Sequence, residues 1–244
     1  MEEIEYPVRI NRYLYLSGIC SRRMADTLIE RGEVNINGKV ALLGQKVYEG
    51  DTVTLSKDAR KLPERYRYFA YYKPQGVVSH NPQRKEKDVL SATGLSSEYA
   101  PLGRLDKESE GLMLMTNDGR IVDRLLNPKF GHERTYRVVL DKKVSNWFVR
   151  HLKEGVDIEG YVTKPARAKK LSEKEVEITL TEGKKHQIRR MAAALGYQVI
   201  RLVRLSLGPI ALGRMKKGEL RELSQEERTK LLETAGISRP TGSR

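Results

Sequence analysis

Asp106 is the residue of this chain best placed to do chemistry, within the segment Gly103–Leu112 (GRLDKESEGL). It lies between two glycines and two positions after Arg104, and the apolar run Leu112–Met115 that follows is typical of a buried strand. A carboxylate at the mouth of a core strand can serve as a covalent catalyst. The alternative is that Asp106 is an ordinary turn residue. The pair Leu-Asp taken alone does not distinguish a catalytic carboxylate from a turn residue.

The densest positive charge lies in Lys184–Arg190 (KKHQIRR), with four Lys or Arg in seven residues. Like charges this close repel one another unless an anion pairs with them, so the segment favours a polyanionic partner over mere solubility. Arg189 and Arg190 compete for the role of anion ligand. His186 could be a general base, but positioning a substrate or packing at the start of a helix fits it better.

The composition points to nucleic acid. The chain has 244 residues and a net charge of +14, and because residues 1–64 carry ten Lys or Arg against ten Asp or Glu, the whole excess lies in residues 65–244. Such an excess favours polyanionic partners. The single cysteine, Cys20, excludes an intramolecular disulfide and is typical of a reducing compartment. We therefore expect a cytoplasmic protein without a signal peptide, a membrane span, a metal site or a phosphate-binding glycine loop.

Residues 1–60 predict a small α/β module. Ile10 and Leu14 share one face of a short helix, Ser21 caps a second helix that ends at Gly32, and the turn 37–38 (Asn-Gly) predicts a hairpin. The helical part presents a local basic face on a neutral body, formed by Arg9, Arg12, Arg22, Arg23 and Arg31.

A linker is predicted over residues 61–66, a larger domain over 67–233 and a flexible tail over 234–244. The larger domain alternates strands, near 68–72, 136–140, 176–180 and 199–205, with a few short helices, near 121–125, 145–152 and 188–195. Many strands with few helices between them predict an α+β fold on a largely antiparallel sheet. Trp147 and Phe148 are expected in its core.

Several segments, taken together and in this order, resemble the pseudouridine synthases: Lys73–Gly76 (KPQG), Gly103–Leu112, His132–Val138 (HERTYRV), Gly183–Met191 (GKKHQIRRM), Leu205–Ile210 (LSLGPI) and Gly218–Leu223 (GELREL). Ser17–Arg23 (SGICSRR) and Val34–Gly38 (VNING) resemble the S4-like RNA-binding module. The resemblance covers nearly the whole chain and is closest to the RsuA/RluB/RluF group, in particular to RluF-type members. Two features depart from the pattern: Arg134 stands where relatives often have Lys, and the tail is short.

The resemblance implies an isomerase that converts one uridine of ribosomal RNA, foremost of the large subunit, into pseudouridine without a cofactor. It assigns the essential carboxylate to Asp106, which attacks the sugar or the base or assists departure of the base. Tyr136 then supplies a stacking ring and a hydroxyl, and Arg189, whose register the family match fixes, holds the carboxylate in its ionised form.

The target uracil must leave its helix to react. Arg104 is implied to fill the space that the base leaves or to bind the flanking phosphate, with a structural ion pair as the alternative. Further residues expected to contact substrate or RNA are Lys73, His186, Gln187, Arg190, Arg9, Arg12, Arg22 and Arg23.

Two alternatives stay open at this point. The same reaction could act on small-subunit ribosomal RNA or on transfer RNA, because RNA is recognised largely by shape and by unstacked bases. A ribosome-assembly factor with an idle site would also be basic and carry the module. In each case we expect a monomer that contacts RNA, no membrane and no small-molecule cofactor.

Overall fold

The computed structural model describes residues 4–56, 66–83 and 86–237. Most of the predicted linker (61–65) and of the predicted tail (238–244) lies outside these ranges. The chain divides into two compact units, Met1–Arg67 with Asn117–Arg120, and Tyr68–Thr116 with Ile121–Arg244. Within the described ranges, no helix is both long and apolar enough to cross a membrane.

The small unit consists of β1 (Val8–Arg9), α1 (Ile10–Leu16), α2 (Arg22–Glu30), β2 (Val34–Ile36), β3 (Lys39–Val40), β4 (Lys46–Val47) and β5 (Val53–Leu55). The strands form an antiparallel sheet in the order β3-β2-β5 and a separate β1-β4 pair. Two-residue strands such as β1 and β4 carry no alternation, and the sequence did not predict them.

Local signals set the elements of the small unit. Ser21 Oγ accepts a hydrogen bond from the main-chain N–H of Met24, as predicted for an N-cap. Asn37 and Gly38 both have positive φ, 51° and 77°, the conformation of a tight hairpin turn. Cys20 is buried in the core, and this burial raises the pKa of its thiol to about 11, so it is a packing residue rather than a nucleophile.

The large unit contains strands and helices in alternation. Its strands are β6 (Tyr68–Lys73), β7 (Ala100–Leu102), β8 (Glu110–Thr116), β9 (Arg134–Leu140), β10 (Arg167–Lys170), β11 (Glu175–Leu180), β12 (Val199–Leu207), β13 (Ile210–Ala211) and β14 (Leu220–Glu222). Its helices are α3 (Val89–Thr93), α4 (Arg120–Leu126, which starts at a residue of the first unit), α5 (Asn146–Glu154), α6 (Gln187–Ala194) and α7 (Gln225–Thr234), with a 3-10 turn at Pro128–Phe130.

One sheet organises this unit, in the order β10-β11-β9-β12-β8-β6-β14, with β13 added to β12 and β7 to β8. Only the β8–β12 pair is parallel within the described sheet, so the predicted α+β fold on a largely antiparallel, mixed sheet is confirmed. Every residue of β6 and β8 is buried, which explains why both read as continuous apolar runs.

Two apolar clusters fill the large unit, one around Val138, Phe148 and Met191 and one around Tyr71 and Met113. Phe148 is buried as expected, but the expectation for Trp147 is wrong: its side chain is 47% exposed. The reason is helical geometry, because neighbouring positions on α5 point in different directions and only one of the two can face the sheet.

Candidate active site

The loop between β7 and β8 carries Asp106 and is fixed on both sides. On one side, the Ser79 hydroxyl donates to the carbonyl of Leu105 at 2.6 Å and accepts from its N–H at 3.0 Å. On the other, the main-chain carbonyl of Asp106 accepts from the N–H of Ser109 at 3.0 Å. The carboxylate is therefore presented from a rigid turn, with 37% of its side chain exposed.

Gly111 ends this loop for a steric reason. Its φ is +114°, and a Cβ atom there would collide with the main-chain N and O of Arg204 on the neighbouring strand β12. Only glycine tolerates both the conformation and the close approach. The glycine of the motif therefore serves the β8–β12 contact at the start of the catalytic sheet.

Lys73 was expected to contact RNA, and its position contradicts this. Its side chain is fully buried, and its ammonium donates to the carbonyls of Ser109 at 2.6 Å and Pro74 at 3.0 Å. Burial lowers the pKa of this ammonium to about 8. Lys73 thus braces the Asp106 loop from beneath, and it is not among the residues that line the pocket.

His186 is the side chain that faces Asp106. It precedes α6 in the left-handed conformation, with φ 51°, and its Nε2 lies 3.2 Å from Oδ1 of Asp106. The left-handed turn aims the imidazole back at the loop instead of along the helix. His186 thus lies at the start of α6, as expected, and its expected role in positioning the substrate stays a prediction.

Arg189 was expected to hold Asp106, and the structure places its guanidinium elsewhere. Nη1 donates to the carbonyl of Val199 at 3.0 Å and Nη2 to that of Glu108 at 3.2 Å. Within the described residues, no hydrogen bond joins Arg189 to Asp106. The arginine still lines the same pocket and ties α6 to the loop that carries the carboxylate.

The pocket has a volume of about 470 Å³ and unites distant parts of the large unit. Residues of the Asp106 loop, of β9 and of α6 with its preceding loop form its walls. The predicted site residues in its lining are Arg104, Asp106, Tyr136, His186, Gln187 and Arg189. Arg104 is exposed and forms no salt bridge within the described ranges, which leaves it available to a ligand.

The side chains of Gln187 and Arg190 form hydrogen bonds within the protein. Buried Gln187 donates to the Glu182 carboxylate at 2.7 Å and accepts from the N–H of Lys184 at 2.9 Å, which shapes the loop before α6. Arg190 pairs with Glu159 at 2.7 Å and donates to the carbonyl of Ile158. Both side chains thus bind other parts of the protein, although Nε of Arg190 is buried without a partner, and the expected RNA contacts stay predictions.

Tyr136 lies on β9 between Ile178 of β11 and Arg204 of β12, and it packs against both apolar clusters. The side chain is half-buried: it packs against the core and also lines the pocket. The strand register thus fixes the aromatic ring that the sequence motif identified.

The pocket lining includes residues that the sequence did not predict as site residues, among them Arg134 and Arg204. Both are buried, at 7% and 2% exposure. Arg134 drew notice only as a conservative departure from Lys. Arg204 offered one signal, a cation inside the otherwise apolar strand stretch 202–205, where a charge has no reason to be buried without a partner.

The small unit has a basic depression of about 720 Å³, lined among others by Arg9, Arg12, Arg22 and Lys46. The structure therefore brings three of the four predicted arginines together. Arg23 is exposed but lies outside this lining. Lys46 joins the set from β4, an element that the sequence did not predict.

Comparison with known proteins identifies the class. A family model described as RNA pseudouridylate synthase matches residues 67–194, and an S4 domain model matches residues 8–53. The matched domains are thus those of an RNA-modifying isomerase. The chain belongs to the pseudouridine synthase family, in its S4-containing RsuA/RluB/RluF group, as the motifs predicted.

Individual relatives agree with this assignment. The dual-specificity RNA pseudouridine synthase RluF of Escherichia coli K12 is 37% identical, covering 96% of this chain and 87% of the relative. The ribosomal large subunit pseudouridine synthase B of Bacillus subtilis 168 is 35% identical, covering 90% and 93%. A crystal structure of a pseudouridylate synthase superposes with a TM-score of 0.69 at 31% identity, covering 92% of this chain and 99% of that one. The chain is therefore an RNA pseudouridine synthase, and the alternative of a non-catalytic assembly factor is set aside.

Proposed function

We propose that this enzyme isomerises a specific uridine of large-subunit ribosomal RNA to pseudouridine, with Asp106 as the catalytic carboxylate. The observation that carries the proposal is the convergence of Asp106, Tyr136 and Arg189 on one pocket from three separate segments. The Bacillus subtilis relative that is named for the large ribosomal subunit supports the choice of RNA.

The reaction is balanced within the nucleotide. The bond between N1 of uracil and C1′ of the sugar breaks, the base turns, and C5 bonds to C1′, while a proton leaves C5 and N1 gains one. No electrons are gained or lost. Asp106 assists this exchange as a nucleophile toward the sugar or the base, or by stabilising the departing base.

The residues around Asp106 have separable roles in the proposal. Tyr136 stacks against the turning uracil, and its hydroxyl is available for the last proton transfer. Arg189 holds the Glu108 carbonyl and so fixes the loop of Asp106. Arg104, exposed at the pocket and two residues from the carboxylate, occupies the space of the extruded base or binds the adjacent phosphate.

The small unit, assigned here to residues 1–60, supplies an RNA-binding surface in the proposal, and residues 67–233 supply the catalysis. The basic depression with Arg9, Arg12 and Arg22 supports this division, since phosphate contacts position a protein on RNA without reading its sequence. A ribosomal substrate implies action where ribosomes are present, for which we propose the cytoplasm. We propose that the enzyme acts as a monomer.

The test is pseudouridine mapping at single-nucleotide resolution in total RNA from cells with and without the gene. We expect one large-subunit ribosomal site to lose its pseudouridine and to regain it when wild-type protein is restored. An unchanged ribosomal map would refute the proposed substrate.

A second substrate class is favoured by the Escherichia coli relative, whose name describes dual specificity. Small-subunit ribosomal RNA and transfer RNA are the candidates that the sequence left open. The same mapping experiment covers both, and loss of a transfer RNA pseudouridine together with a ribosomal one would extend the proposal to two targets.

A further inference from the structure

Two buried arginines form the feature of the pocket that the reaction described above does not use. Arg134 begins β9. Arg204 lies on the adjacent strand β12, where it pairs with Tyr136, two residues after Arg134 on β9. Their exposures are 7% and 2%, and both side chains line the pocket. Buried arginines are rare unless paired, so each needs an account of its hydrogen bonds.

Each guanidinium donates hydrogen bonds to main-chain carbonyls and has one buried nitrogen without a hydrogen-bond partner. Arg204 donates from Nε to the carbonyl of Leu112 at 2.7 Å and from Nη1 to that of Arg104 at 3.4 Å, while its Nη2 is buried without a partner. Arg134 donates from Nη2 to the carbonyl of Leu126 at 3.0 Å, while its Nη1 is buried without a partner.

Both side chains line the same cavity. A Cβ atom at Gly183, a residue of the pocket wall, would lie 3.6 Å from Nη1 of Arg134. The guanidinium of Arg204 is held against the main chain of Arg104 and beside Tyr136, which also line the pocket. Burial lowers the pKa of Arg204; the neighbouring Tyr136 opposes this shift, and the charge of Arg134 adds to it.

No carboxylate within the described residues forms a salt bridge with either arginine. Glu182, the buried acid of the pocket, already accepts from Tyr161, Gln187 and the main chain of Lys164. Asp106 faces His186. Two buried like charges without a counter-ion are costly, and an anion that enters the pocket would remove that cost.

We propose that Nη1 of Arg134 and Nη2 of Arg204 together bind one phosphate of the substrate RNA, adjacent to the target uridine. The proposal rests on the proposed function, since it takes its anion from the RNA backbone. Arginine suits this role because its planar guanidinium has several N–H donors. Some can bind protein carbonyls while others bind phosphate oxygens. The bound phosphate then fixes the sugar of the extruded nucleotide relative to Asp106.

The experiment combines chemical changes in the RNA with changes in the protein. Substrate RNAs, taken from the region that mapping identifies, carry one uncharged methylphosphonate linkage on the 5′ or the 3′ side of the target uridine. Dissociation constants and single-turnover rates are measured for wild type, Arg134→Met, Arg204→Met and Arg134→Lys. Arg167→Met is the matched control, because Arg167 is an exposed arginine of the same unit, paired with Glu133 and outside the pocket lining.

We expect one of the two neutral linkages to reduce the rate or affinity of wild type about tenfold, as for loss of hydrogen bonds to a charged group. On the native RNA, Arg134→Met and Arg204→Met should reduce the rate or affinity by a similar factor. On the RNA that carries the sensitive neutral linkage, the two substitutions should cause no additional reduction. Arg134→Lys recovers part of the loss, and Arg167→Met behaves as wild type throughout.

Two results would overturn the phosphate site. One is that the loss caused by an arginine variant and the loss caused by a neutral linkage multiply, whichever linkage is neutral. The other is that wild type tolerates both neutral linkages. Thermal unfolding of each variant separates this result from misfolding, and Arg134→Lys keeps the test decisive if Arg204→Met fails to fold. If wild type does not convert the native RNA, it is the proposed function that fails, and the two failures are thereby distinguished.

Discussion

The imidazole of His186 lies 3.2 Å from the carboxylate of Asp106, in the place where a catalytic arginine was expected. Arg189 instead donates to the main-chain carbonyls of Val199 and Glu108. The carboxylate of the free enzyme is thus accompanied by a side chain that an incoming nucleotide can displace, since the imidazole is about half exposed and its only described polar contact is Asp106.

His186→Ala should lower kcat/KM by less than about tenfold, because the imidazole neighbours the carboxylate without being needed for proton transfer. Loss of a true general base costs about 10²–10⁴-fold. The measurement is kcat and KM on the mapped RNA, where we expect the change mainly in KM. A kcat lowered a hundredfold or more would assign His186 to the chemical step.

Asp106→Asn should abolish turnover and leave RNA affinity within about twofold, because the amide keeps the shape of the side chain but is a poor nucleophile. Glu108→Gln is the matched control: it neutralises an exposed acid of the same loop whose main chain, not its side chain, holds Arg189. Product formation and RNA binding are measured for both variants. Normal turnover by Asp106→Asn contradicts the assignment of the catalyst.

Lys73 gives a pH-dependent stability with a defined sign. Its ammonium has a pKa of about 8 in the folded protein and near 10.5 when unfolded, so between these values the unfolded chain binds more protons. Stability therefore gains from this group as pH rises from about 8 to about 10.5, by on the order of 3 kcal/mol. Urea unfolding of wild type and Lys73→Met across this range isolates the gain, which the variant should lack. Parallel curves for the two proteins would show that the ammonium is not desolvated.

RNA affinity should depend on Arg12 more than on Arg23, since only Arg12 lines the basic depression of the small unit. Arg12→Gln should weaken binding and reduce the slope of log affinity against log salt by about 0.7 to 0.9, the value for one phosphate contact. Arg23→Gln, with the same charge change on an exposed site of the same helix as Arg22, is the control. Equal slopes for the two variants would mean that RNA does not occupy the depression.

Much of the fold could be predicted because its signals are local. The caps Ser21 and Ser145 act on N–H groups three residues ahead, and the Asn37-Gly38 turn depends on two residues alone. The buried strand β8 followed from its own apolar run. Short elements such as β1 and β10 escaped prediction, because they exist only where a partner strand supplies their hydrogen bonds.

The amino-acid sequence by itself determined which residue types this enzyme has for chemistry: a carboxylate, an aromatic ring and several cations, each within its motif. Only the tertiary structure decided what each cation touches. Lys73 and Arg204 are buried because segments far apart in the chain pack over them. Arg189 is held by the carbonyl of Glu108 in the Asp106 loop and by that of Val199 at the start of β12. Burial and hydrogen-bond partners depend on contacts distant in sequence, whereas side-chain chemistry is already present in each residue.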